Sequence, residues 1–157
     1  MPLQPATRAR FDARIVVREE SEGGPVRDAE LRGTLLADPQ PFVRLMASET
    51  LLDFDDDAGF DIAVSQLKAQ RLNLRLWSSR LLSKYAAKWP DRRPVALRVL
   101  TQALKDEGKD VRAVAFVGLA GLGEPSVIPQ LKQAAGAEPD AGVRLVMTEQ
   151  LKQLGVQ

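Results

Sequence analysis

Residues 109–123 read KDVRAVAFVGLAGLG, a run that is apolar almost throughout and yet carries an arginine near its start. Laid over the rest of the chain, it aligns with PFVRLMASETLLDF (41–54), LNLRLWSSRLLSKY (72–85) and AGVRLVMTEQLKQLG (141–155). The four copies are anchored on Arg44, Arg75, Arg112 and Arg144, at spacings of 31, 37 and 32 residues. Before each arginine stands Val43, Leu74, Val111 or Val143, and seven residues after it Leu51, Leu82, Leu119 or Leu151. Phe54, Tyr85, Leu122 and Leu154 follow ten residues after it. Apolar positions on this period mark one face of a helix. Thirteen residues before each arginine a second column holds Leu31, Ile62, Val99 or Leu131. Each copy therefore predicts two helices, the first of them over about 26–37, 58–69, 93–105 and 125–135. Turn-forming residues part the two helices in three copies: Asp38-Pro39-Gln40-Pro41, Asp106-Glu107-Gly108 and the stretch from Gly136 to Asp140.

An aspartate, a short gap, Val-Arg, then Ala and Leu down the helix: this pattern resembles HEAT repeats, in particular the short kind typical of phycobilisome lyases, over roughly residues 26–155. The resemblance implies an all-α fold, a right-handed α-solenoid of about four HEAT-like helix pairs, occupying residues 26–157 after an N-terminal arm or degenerate capping helix over 1–25. The second copy departs from the pattern with Leu74, Ser78 and no aspartate before its turn; the fourth departs with Met147 and Glu138.

Stacking of helix pairs explains the arginine. Its stem lies along apolar neighbours while the guanidinium reaches loop carbonyls or an acidic partner such as Asp38 or Asp106. On this reading Arg44, Arg75, Arg112 and Arg144 are structural. The adjoining column Met46, Trp77, Val114 and Val146 is apolar too, as contact between neighbouring repeats requires. A stack must end in a polar surface, which Thr148, Glu149, Gln150, Lys152 and Gln153 supply on the last helix.

Composition removes most catalytic designs. The chain has no cysteine and no histidine, and so no disulfide, thiolate nucleophile, imidazole base or ordinary zinc site. No segment reads as a signal peptide or a membrane span. The expectation is a cytoplasmic protein, although a cysteine-free chain also suits a periplasm. Carboxylates at Asp53, Asp55 and Asp57 have the alternating spacing of a calcium loop, but Ala58 replaces its glycine and Val64 its bidentate glutamate. They read as an inter-repeat loop. The GLGEPS stretch at 121–126 reads as a helix end, not a phosphate loop.

Charge is distributed unevenly. The chain is net +1, but residues 68–98 hold nine cations against Asp91 alone, a local balance of +8. Both tryptophans and the only tyrosine lie there. Arg80, Lys84 and Lys88 follow one another at i, i+4 and i+8 and so line one helix face, while about five inserted residues within AAKWPDRRP place Trp89, Arg92 and Arg93 in a loop. These six are the candidate partner-binding residues; Tyr85 and Trp77 are expected in the core. The function expected is a non-catalytic, cofactor-free adaptor or scaffold for a protein with an acidic surface. Nucleic-acid binding through the same segment is the alternative. A bilin-lyase-like protein would need a tetrapyrrole pocket, and a DNA glycosylase a catalytic Asp, Trp and Arg set; no motif supplies either.

Overall fold

A computed structural model of the chain describes residues 29–156; the arm or capping helix expected over 1–25 lies outside them. Among the described residues the secondary structure is helical throughout. Its elements are α1 (Ala29–Leu36), α2 (Pro41–Asp53), α3 (Phe60–Gln66), α4 (Leu72–Lys88), α5 (Arg93–Ala103), α6 (Lys109–Leu122), α7 (Ile128–Ala137) and α8 (Ala141–Gln153), with a 3-10 turn over Pro125–Val127. Local chemistry sets the ends. Proline stands in the first turn of α2, α5 and α7, where its missing N–H costs nothing and its fixed φ already fits a helix. Gly123, at φ 62°, closes α6 in the left-handed conformation that an L side chain resists. The Asp140 carboxylate accepts a hydrogen bond from the Val143 amide at 3.0 Å and caps α8.

The chain divides into two compact units, one reaching Ile62 and the other running from Ala63. In the first, α1 packs against α2, which buries Leu45, Ala47, Leu51 and Leu52. Gly59 approaches the Ser48 backbone so closely that a Cβ there would overlap it.

In the second unit α4 packs against α5 and α6, and α6 packs against α8. Leu81, Leu82, Tyr85, Leu100, Phe116, Leu119 and Met147 are fully buried between them. Tyr85 is thus in the core, whereas Trp77 is half-buried. A Cβ on Gly118 would run into Ser83, so the glycine lets α4 and α6 meet side by side. The first helices behave differently: α5 and α7 scarcely touch. Close second helices and parted first helices leave grooves on the first-helix side.

The insertion expected as a loop is used differently. It lengthens α4 to 17 residues, so that only Trp89 to Arg92 separate α4 from α5. Nothing in Ala86-Ala87-Lys88 stops a helix; Pro90 does, holding Trp89 at φ −117°, ψ 105°.

Among the described residues one buried polar side-chain atom stands alone. The hydroxyls of Ser48, Thr50, Ser79, Ser83 and Thr101 each donate to the carbonyl four residues back. The Ser78 Oγ, fully buried on α4, has no partner among the described residues. A buried unpaired hydroxyl costs about 1–3 kcal/mol, so Ser78→Ala is expected to raise the free energy of unfolding by about 1 kcal/mol. Urea denaturation followed by circular dichroism checks this, and a lower midpoint in the variant would mean that the hydroxyl has a partner after all.

Candidate interaction surface

The repeat arginines share one geometry. Each Nη1 donates to the carbonyl six residues back: Arg44 to Asp38 at 2.5 Å, Arg75 to Ala69 at 2.9 Å, Arg112 to Asp106 at 2.8 Å and Arg144 to Glu138 at 2.6 Å. One guanidinium thus closes the turn between the two helices of its own pair. In the second unit the opposite edge reaches further along the chain. Arg75 Nε and Nη2 donate to Asp106 at 2.8 and 3.1 Å, and Nη2 also donates to Glu107 at 2.8 Å. Arg112 Nε and Nη2 donate to Glu138 at 2.8 and 2.6 Å. These bidentate pairs tie each helix pair to the turn of the next. Each carboxylate is itself held in its turn, Asp106 accepting from the Gly108 amide and Glu138 from the Asp140 amide.

Glu138 was a departure from the aspartate pattern in the sequence, yet it does the aspartate's work. It lies six residues before Arg144, as Asp106 lies six before Arg112, and its extra methylene does not prevent the bidentate grip. Hydrogen bonding from Arg112 holds its carboxyl below the usual glutamate range, against the opposing pull of burial. The bond from Asp106 raises the Arg75 guanidinium, and that from Glu138 raises Arg112. All three groups are therefore charged at neutral pH. Sequence reading missed Glu107 and the exposed Lys109–Asp140 pair at 2.9 Å, since neither lies in a repeat column.

The residues expected to meet a partner separate into groups. Arg80, Lys84 and Lys88 are all exposed along α4. Trp89 is half-buried, with its ring 5.4 Å from that of Tyr85 and Lys88 Nζ 5.2 Å from its centre. Arg92 lies 3.9 Å from Asp91 at the surface. Arg93 turns inward, its Nε donating to the Ala86 carbonyl at 3.0 Å, one of the acceptors left over where α4 ends. The stripe of three is exposed and Trp89 and Arg92 are half-buried, while Arg93 spends a donor on the fold.

Beside the stripe lies an apolar depression that the charge pattern alone did not indicate. Arg80, Ser83 and Lys84 of α4 and Ala113, Val114 and Val117 of α6 line a shallow groove of about 410 Å³ floored at Gly118. Val117 is 42% exposed there, and Val146, in the same repeat column as Val114, is 45% exposed on α8. Cations and exposed valines thus line the same groove; among the described residues no cluster of three acidic side chains gathers as a metal site, and no helix is long and apolar enough to cross a membrane.

Residues 84–152 match the family model of HEAT repeats, a stretch that contains both Arg112 and Arg144 and runs from the end of α4 into α8. The chain has no match among the curated proteins. HEAT repeats generally mediate contacts between proteins, and the match supports a HEAT-like helical repeat here.

Proposed function

We propose that this chain is a non-catalytic, cytoplasmic adaptor that binds a protein with an acidic surface through the side of α4 and α6 bearing Arg80, Lys84 and Lys88. Trp89 and Arg92 extend the contact at the end of α4. The observation that carries the reading is the valine-lined groove beside two members of the cationic stripe. Apolar burial supplies affinity, and the flanking cations supply approach rate and register. The arrangement as four HEAT-like pairs in a right-handed stack belongs to the same proposal, supported by the recurrence of the arginine geometry at Arg75, Arg112 and Arg144.

Two variants test the surface from different directions. Arg80→Glu/Lys84→Glu/Lys88→Glu reverses the stripe, and Val117→Asp charges the groove. In quantitative affinity purification with the wild-type chain as bait, both are expected to lose the same partner by at least tenfold. A partner retained by both variants removes this surface from the proposal.

The +8 balance of residues 68–98 supports nucleic acid as a second ligand. Trp77 and Trp89 report on it by fluorescence during titration with single- and double-stranded oligonucleotides. A saturable change that survives physiological salt and vanishes in the triple variant favours nucleic acid; loss of the signal at modest salt favours the protein partner.

A further inference from the structure

The first-helix side of the second unit carries two grooves that the α4–α6 surface does not use and that the arginine–carboxylate contacts border. Between α3 and α5, Val64, Leu67, Val99 and Ala103 floor a space of about 360 Å³ with Lys68 and Arg98 at its edges. Between α5 and α7, Leu104, Ala134 and Ala137 floor a second space of about 510 Å³ bordered by Lys105, Gln130 and Gln133. Gln102 and Asp106 line both.

Charge on these grooves is one-sided. Lys68, Arg98 and Lys105 are exposed, and among the described residues their side chains have no hydrogen bond or ion pair. The acids that reach the grooves, Asp106 and Glu138, are already gripped by Arg75 and Arg112. Their charge is compensated, so the three free cations set the sign. Arg98 and Gln102 stand at i and i+4 on one side of α5, and Lys105 follows in the turn just past its end.

We infer that these paired grooves bind an extended acidic segment of another protein, laid across α5 with an apolar side chain in each groove and carboxylates between them. The two grooves flank α5, and a helix with its side chains is about 10 Å across. A chain extended in the polyproline-II conformation advances about 3.1 Å per residue and returns a side chain to the same face every third residue, so the two apolar side chains stand three residues apart. The residues between them pass over Arg98 and Gln102, which offer a guanidinium to carboxylates and an amide to the peptide backbone. The floors favour a peptide over nucleic acid. They are aliphatic, and none of the lining residues is an aromatic platform for a base. This inference is independent of the proposed α4–α6 surface, which uses different helices.

The test uses the full chain and a fluorescein-labelled octapeptide, Glu-Glu-Leu-Glu-Glu-Leu-Glu-Glu, titrated by fluorescence anisotropy at physiological salt. Saturable binding is expected, weakened at least tenfold by Lys68→Glu/Arg98→Glu/Lys105→Glu and changed less than twofold by Arg80→Glu/Lys84→Glu/Lys88→Glu. Ala137→Trp, which fills the second groove from an exposed position without altering charge, is expected to weaken binding as well. Circular dichroism melts confirm that each variant is folded. No saturable binding, loss confined to the α4 triple variant, or equal affinity for the octapeptide with serine in place of both leucines overturns the inference. So does an octathymidine oligonucleotide that binds as tightly with the same dependence on Lys68, Arg98 and Lys105, which would make the site one for nucleic acid.

Discussion

Arg75→Leu is expected to lower the free energy of unfolding by about 3–5 kcal/mol, the range for removing one partner of a buried ion pair. The side chain is 8% exposed and makes five hydrogen bonds, to Asp106 twice, to Glu107, and to the Ala69 and Gln70 carbonyls. Leucine fills much of the stem's volume and satisfies none of these acceptors. Asp106, 12% exposed, would be left as a carboxylate without its cation, and two turn carbonyls would lose their donor. Arg75→Lys should fall between leucine and wild type, because an ammonium cannot span a carboxylate and two carbonyls as a planar fork does. The equivalent change at the last repeat is the internal control. Arg144 is exposed and its side chain is held by the Glu138 carbonyl, with no carboxylate paired to it among the described residues. Arg144→Ala is therefore expected to cost about 1 kcal/mol or less. Urea midpoints at pH 7 with unchanged m values measure both. Equal losses at positions 75 and 144 would show that the link between successive helix pairs contributes nothing beyond the closing of each turn.

The comparison also separates what the sequence disclosed from what it concealed. Helix pairs were legible because two apolar columns recur around an arginine; α2, α4, α6 and α8 begin within a residue of the four aligned runs. The Arg75–Asp106 contact was legible in kind, because an arginine among apolar residues needs an acceptor. The identity of the second acceptor was not. Glu138 stood out as a violation of the aspartate pattern, and only the backbone path of the turn shows that a longer side chain reaches Arg112 equally well. Arg93 illustrates the opposite failure. Nearness in sequence to Trp89 and Arg92 grouped it with exposed cations, whereas the end of α4 places the Ala86 carbonyl within its reach. The grooves were hidden for a different reason. Lys68, Arg98 and Lys105 belong to no repeat column, and Lys68 stands 30 residues before Arg98. Only the parting of α5 from α7 and the consumption of Asp106 by Arg75 give them a common role.

Glu138→Gln supplies the second large effect, and it carries a pH signature that a packing defect would not. The Glu138 side chain is 1% exposed and its Arg112 partner 13% exposed, so the variant leaves a buried guanidinium facing a neutral amide. A loss of about 3 kcal/mol at pH 7 is expected, the low end for breaking such a pair, since the amide oxygen still accepts one bond. The sign of the pH dependence follows from the lowered carboxyl. A depressed folded-state value means that the pair stabilises fully above the unfolded glutamate value of 4.5 and is lost as pH falls through the folded value below it. Wild-type stability should then decline with acidification beginning near pH 4.5, and Glu138→Gln should show a shallower decline, with the two curves converging at the acid end. Asp140, whose carboxyl is lowered by the Val143 amide and by Lys109, keeps a residual slope in the variant. Arg112→Leu/Glu138→Leu completes the test. Removing both charges leaves neither partner stranded, so the double variant should be more stable than the sum of the two single losses predicts. Parallel pH curves for wild type and Glu138→Gln, or strict additivity in the cycle, would show that Glu138 holds its turn by shape alone and that the charge between successive helix pairs is incidental.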